Sequence, residues 1–306
     1  MYILFFYCTF MNVAIVGCGD VGRCYAKALM DAGHQVSELC DSRPSVAIAR
    51  YAEEISAKVH SEPGDWLAEV DLVISAVFGG VALDVARQSL TYMHKDSIYA
   101  DFTTGRPADL RAAANMALEA NIEFVDVAIT GAIGLGGQKT PLLCAGPATA
   151  RFVELMKAIG APIRIVGTEP GDAVALKLLR SIFTKGLEAL AVECLMAAEH
   201  QGLRQSLYEV LSDIDQTPIR NFMEATVTTH VRHAERRLAE VREARLQLES
   251  EGIQPRALDG VAALFEHTAN AIQNSPIEGE ATIENSLRWL LDQQRSDATK
   301  APTTDH

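Results

Sequence analysis

The run Val13-Ala14-Ile15-Val16-Gly17-Cys18-Gly19-Asp20-Val21-Gly22 decides the fold of this chain. An apolar strand candidate over 12–16 runs into three glycines spaced G-x-G-x-x-G. A helical pattern then covers 21–33, and a second strand candidate covers 36–40. Each glycine has a separate physical task. Gly17 permits the tight turn, Gly19 lets the backbone approach a pyrophosphate, and Gly22 lets helix and strand pack closely. The free N–H groups of the helix start then face the anion. Asp41 stands about 20 residues further on, where such a unit keeps an acid for the adenosine ribose. The run therefore predicts a dinucleotide site formed by Gly17, Cys18, Gly19, Asp20, Val21 and Gly22. The plain alternative is a strand–helix turn that binds nothing.

Outward from this run, short apolar stretches alternate with helical ones. Strand candidates lie at 12–16, 36–40, 71–77, 97–102, 122–128 and 162–166. Helices are predicted at 21–33, 44–54, 81–91, 107–120 and 147–158. Such alternation means a parallel sheet covered by helices on both faces. Thr140 to Gly146 can add a strand near the sheet edge. After residue 168 the pattern changes. Thr168 reads as a helix cap with Pro170 in the first turn, and one long helix is expected to His200. A second long helical run covers Thr226 to Glu251. The predicted class is α/β: a Rossmann-type doubly wound parallel sheet (11–167), then an all-helical substrate and dimerisation domain (168–293). A disordered tail is expected over 294–306.

Composition narrows the function. A net charge of −13 over 306 residues argues against a broad nucleic-acid surface. The six cysteines, among them Cys18, Cys24 and Cys40, form no C-x-x-C pair and read as thiols of a reducing, cytoplasmic compartment. No metal motif appears: His230 and His233 share a helix with Arg232, Arg236 and Arg237 and read as part of a solvated or cleft-facing helix. Residues 1–10 are apolar but too short to span a bilayer, and no membrane partner is expected. They read as an upstream extension, with Met11 opening the natural domain.

Ligands of an open parallel sheet gather at the carboxyl ends of its strands. The second strand ends in Cys40-Asp41-Ser42-Arg43. Asp41 suits the ribose of NAD, whereas Arg43 suits the 2′-phosphate of NADP. The two signals conflict, and the acid tips the reading only slightly toward NAD. Asp20 fits beside phosphate only if its side chain points outward. Further on, Ala76, Val77 and Phe78 offer backbone for the nicotinamide side, and the strand end Asp101-Phe102-Thr103-Thr104-Gly105 offers two hydroxyls, with Thr103 the cofactor candidate. Asp126 to Ala132 opens into a glycine loop, where Thr130, Gly131 and Ala132 can hold a small anion. On the long helix, Lys177, Arg180 and Ser181 stand at i, i+3 and i+4. If that stripe faces a cleft, desolvation and the neighbouring Arg180 both lower the lysine pKa, as proton transfer near neutral pH requires. Otherwise Lys177 is a snorkelling surface residue.

These pieces resemble the β-hydroxyacid dehydrogenase family, which includes 3-hydroxyisobutyrate and 6-phosphogluconate dehydrogenases. The likeness runs from Met11 to about residue 200. Asp126-Val127-Ala128-Ile129-Thr130-Gly131-Ala132 is similar to the family's D-x-P-V-S-G-G, with Ala128 in place of the proline. Gly171-Asp172-Ala173-Val174-Ala175-Leu176-Lys177 is similar to its G-x-G-x-x-x-K. The resemblance implies that Lys177 is the general acid/base, that Thr130, Gly131 and Ala132 hold the substrate, and that NAD or NADP is the cofactor. Ser181 stands where the family usually has asparagine, and the helical half resembles a divergent branch with an uncharacterised C-terminal domain. The implied activity is oxidation of the CH–OH group of a small 3-hydroxy acid, a small acidic metabolite, or reduction of the matching carbonyl. Arg180 then supplies charge for the acid, and Ser181 bonds the reacting hydroxyl. Two alternatives stay open: an imine reductase-like enzyme, a group that generally lacks this lysine, and a non-catalytic NAD(P)-binding sensor. A homodimer is expected, because the apolar positions Leu176, Leu179, Phe183 and Leu187 of the long helix need a partner surface.

Overall fold

A computed structural model describes residues 10–147, 149–280 and 282–300. Residues 1–9, with Cys8, and residues 301–306 lie outside the described residues. The elements alternate as β1 (Asn12–Val16), α1 (Asp20–Asp31), β2 (Gln35–Cys40), α2 (Val46–Ile55), β3 (Lys58–His60), β4 (Leu72–Ser75), α3 (Ala82–Tyr92), β5 (Ile98–Asp101), α4 (Pro107–Glu119), β6 (Glu123–Ile129), α5 (Ile133–Gly136), β7 (Leu142–Ala145), α6 (Thr149–Ala158) and β8 (Ile163–Gly167). Helices alone follow among the described residues: α7 (Asp172–His200), α8 (Arg204–Val210), α9 (Ser212–Asp215), α10 (Ile219–Ser250), α11 (Arg256–Asn274) and α12 (Ile283–Lys300). Residues 294–300, expected in a disordered tail, are therefore helical.

The eight strands form one sheet in the order β3-β2-β1-β4-β5-β6-β7-β8. Side chains alternate across it with period two. Val13 and Ile15 thus join one core with Tyr25 and Leu29 of α1 and Phe152 of α6. Ala14 and Val16 join the other, with Leu90 of α3 and Leu110 of α4. Full burial of a side chain such as Ile15 contributes about 1.5–3 kcal/mol. Because the strand order turns back between β1 and β4, a ligand crevice is expected at their carboxyl ends.

Three features depart from the sequence reading. β3 was not predicted: it is three residues long, too short to show alternation. It pairs with β2 and gives Glu38, a nearly buried acid, a partner in His60 (Nε2 to Oε2 2.6 Å), whose ring stacks on Trp66 at 4.3 Å. β7 runs antiparallel to β6, and β8 parallel to β7, so the last two strands oppose the other six. The long helix starts at Asp172, not at Thr168. Its first amides are capped by a distant residue: Asp126 Oδ2 accepts from Gly171 N (2.9 Å), Ala173 N (3.0 Å) and Val174 N (3.2 Å).

The chain divides into two compact units, residues 1–182 and 183–306. In the second, α10 packs on α11 through Ala234, Leu238 and Ala269. Glu193 caps α11 by accepting from Ala257 N (2.8 Å) and Leu258 N (2.9 Å). No described helix is long and apolar enough to cross a membrane.

Candidate active site

The glycine turn is built as its spacing requires. Gly17 has φ +94, and a Cβ there would lie 2.4 Å from Ala76 O. A Cβ on Gly22 would lie 2.1 Å from Gly17 O. Neither site admits a side chain without backbone movement. Gly19 differs: a Cβ there meets no protein atom within 4 Å. No described atom fills the space beside Gly19, which leaves the turn open to an approaching ligand. Gly19 is also the N-cap of α1 and provides no side-chain cap. The first amides of the helix are thus presented as a helix start presents them to a phosphate. Asp20 points outward, as a phosphate beside the turn requires. Its side chain is 85% exposed and pairs with Arg23 at 2.9 Å.

Asp41 accepts from Cys18 N at 3.1 Å through Oδ2 and from Arg43 N at 3.0 Å through Oδ1. One carboxylate therefore joins the end of β1 to the end of β2. The exposed guanidinium of Arg43 forms no ion pair among the described residues. Burial pushes the thiols of Cys18 and Cys40 up to about 12, so neither is a nucleophile at neutral pH. Cys18 serves the turn through its backbone.

Next to the turn is a cavity of about 320 Å³, lined by Val21, the 76–79 loop after β4, Phe102 to Thr104, Ile129 and Lys177. Lys177 Nζ donates to Thr104 Oγ1 at 2.5 Å. Desolvation holds this ammonium below its ordinary pKa. The Thr103 hydroxyl accepts from Val77 N at 3.3 Å and so binds the β4 and β5 loops together. The nicotinamide-side candidates Ala76, Val77, Phe78 and Thr103 thus line the same space as Lys177. Of the two hydroxyls at this strand end it is Thr104, not the cofactor candidate Thr103, that meets Lys177. The only sequence signal for it is the doubled hydroxyl Thr103-Thr104.

Other candidates lie elsewhere. Thr130 donates its hydroxyl (3.0 Å) and its amide (2.9 Å) to Pro141 O, inside the turn that leads to β7. Gly131 and Ala132 are exposed, and none of the three lines the Lys177 cavity. Arg180 is exposed and also absent from that lining, and the lowered lysine pKa has burial as its cause, not Arg180. Ser181 Oγ donates back to Lys177 O at 2.9 Å within the helix. His230 bonds Thr268 Oγ1 at 2.8 Å, and His233 is exposed. No group of three metal-ligating side chains occurs among the described residues. The second unit has its own cavity of about 440 Å³. Its lining is mostly apolar, and its one carboxylate, Glu193, is occupied by the α11 amides.

Below the site, burial pushes Asp101 up to about 7, against an N–H bond from Thr103 (2.7 Å). A carboxyl whose folded pKa is raised favours the fold when protonated, and that contribution fades between about pH 4 and 7. Asp101→Asn removes the titration but keeps an acceptor for Thr103. Its stability relative to wild type should therefore rise by roughly 2–4 kcal/mol from pH 4 to 8. Thermal unfolding of both proteins across this range measures it, and a pH-independent difference contradicts it.

Residues 12–167 match the NAD binding domain of 6-phosphogluconate dehydrogenase, just over half of the chain. The chain belongs to that family. Residues 198–268 of this dehydrogenase-family protein match a domain of unknown function, DUF1932. The family member is 27% identical over 257 residues to an uncharacterized 28.5 kDa protein from the 7S RNA 5′ region of Methanothermus fervidus, covering 84% of this chain and 98% of that one. It is 30% identical to a conserved protein of unknown function whose structure is similar to 3-hydroxyacid dehydrogenases (TM-score 0.59, 85% of this chain, 97% of the other). A reductive aminase from Aspergillus terreus, solved with NADPH4, cyclohexanone and allyl amine, shares the fold at 17% identity (TM-score 0.70, 92% and 100% covered). The first domain is therefore an NAD-binding one, and the open approach to Gly19 and the uncapped start of α1 fit that cofactor.

Proposed function

We propose that this protein is an NAD(P)-dependent oxidoreductase that acts on the CH–OH group of a small 3-hydroxy acid, or reduces the matching carbonyl. The carrying observation is Lys177, whose desolvated ammonium shares a strand-end cavity with the 76–79 loop and donates to Thr104. The cofactor, when bound, supplies the two-electron chemistry. The turn 17–22 would hold the pyrophosphate, Asp41 would meet the ribose, and Arg43 would pair with a 2′-phosphate. In reduction, Lys177 gives its proton to the substrate oxygen and regains one from solvent; in oxidation it removes the hydroxyl proton. Burial holds its pKa below the ordinary lysine value, the direction that favours the neutral form a proton acceptor needs. Thr104 holds the ammonium in place, and Val21, Val77, Phe78, Phe102 and Ile129 give the cavity an apolar wall.

The deciding experiment is a kinetic screen of NADH and NADPH over short 3-oxo acids, aldehydes and imines. Turnover of an acidic carbonyl compound supports the proposal. Turnover of imines alone selects a C=N reductase, a reading favoured by this apolar lining with a single cation. Cofactor binding without any turnover selects a sensor. In the same assay Arg43→Ala should weaken NADPH by about tenfold and NADH by less than about twofold, as expected for loss of one exposed phosphate contact. Equal effects on both refute the role of Arg43.

We also propose a homodimer. Leu176, Leu179 and Leu187 of α7 are 41%, 62% and 55% exposed, an apolar surface of the kind that marks a protein partner. A reducing, cytoplasmic setting is supported by the five free thiols of the described residues.

A further inference from the structure

The Lys177–Thr104 pair is held by two acids that the reaction does not consume. Asp101 is the last residue of β5, and Asp126 stands opposite it in β6. They are 1% and 0% exposed. Residues in direct parallel register project to the same side of a sheet, so these carboxyls are neighbours. Asp101 Oδ1 accepts from Thr103 N at 2.7 Å and closes the turn that aims Thr104 at the lysine. Asp126 Oδ2 collects three amides of the first turn of α7, ending at Val174, one helical turn before Lys177. Its Oδ1 is buried without a hydrogen-bond partner.

A helix start is ordinarily capped by a residue next to it in sequence. Thr168 stands nearby, yet the cap comes from 45 residues away, on the strand beside the one that leads to Thr104. We propose that Asp101 and Asp126 are positioning residues that jointly set the Lys177–Thr104 contact from adjacent places in the sheet. One acid fixes the acceptor and the other fixes the helix carrying the donor. The β5–β6 ladder fixes the two acids against each other. The proposal rests on reading Lys177 as the proton-transfer group.

The test follows the lysine itself and needs no substrate. Lysine-selective 13C labelling tracks Cε of Lys177 through pH in the full-length protein, with Lys177→Arg to assign the resonance. In the wild type it should titrate below the ordinary lysine value. Asp126→Ala and Asp101→Ala should each raise its proton affinity by about tenfold, one pH unit, toward an ordinary lysine. Asp126→Asn keeps an oxygen for the three amides and should stay within about threefold of wild type. Should Asp126→Ala fail to fold, Asp126→Glu displaces the acceptor by one methylene and gives the same reading. A wild-type titration in the folded Ala or Glu variants, with melting curves and NADH binding as controls, overturns the proposal. So does an equal effect of Asn and Ala. If Lys177→Met leaves turnover unchanged, the proton-transfer reading fails while the titration result stands. The reverse outcome removes only the positioning role.

Discussion

Lys177→Met lowers turnover by about a hundredfold to ten-thousandfold, the range for loss of a general acid–base group, while affinity for the nicotinamide cofactor stays within about threefold. Methionine keeps much of the length and the apolar stem of lysine, so the wall it forms beside Phe102 and Ile129 persists. What disappears is the proton and the bond to Thr104. Because that bond lies at the ends of the strands rather than in the glycine turn, cofactor affinity and proton transfer separate. Initial rates on the best substrate of the screen, beside fluorescence titration with NADH and NADPH, measure the two effects. Undiminished turnover rules out proton transfer by this residue whatever the fold.

The second large effect separates two glycines three residues apart. Gly22→Ala should destabilise the protein by about 3 kcal/mol and weaken the cofactor by at least about tenfold, because the new Cβ meets backbone that cannot step aside. Gly19→Ala should leave the melting temperature within about two degrees, since its Cβ meets no protein atom and its φ of −70 suits any residue. It should nevertheless weaken the cofactor by a similar factor, because the methyl group occupies the approach of the pyrophosphate. Unchanged cofactor affinity in Gly19→Ala contradicts the placement of the pyrophosphate, even if Gly22→Ala behaves as expected.

The nucleotide half of the fold was legible because its signals are local. The turn 17–22 and the buried runs that became β4, β5 and β6 each carry their own period and breakers. The features that escaped depend on partners remote in sequence. Thr168 has the chemistry of a cap, but Asp126 reaches the α7 amides first. Thr130 has a free-looking hydroxyl until β7 turns back along β6 and brings in the Pro141 carbonyl. Arg180 lies three residues from Lys177, yet the helix rotates about 300° over that distance, and this offset of about 60° accompanies an exposed rather than a cavity-lining position. Thr104 and Thr103 cannot be ranked from sequence, because only the position of the Val77 amide tells which hydroxyl is already engaged.

Asp41 carries a lesson for anyone wishing to redesign cofactor preference. The usual exchange, in which the acid after the second strand is swapped for a small or basic residue, would here unstitch two loops at once, since Cys18 N and Arg43 N both end on that side chain. Specificity in this scaffold is better altered through the arginine, leaving the aspartate as the knot.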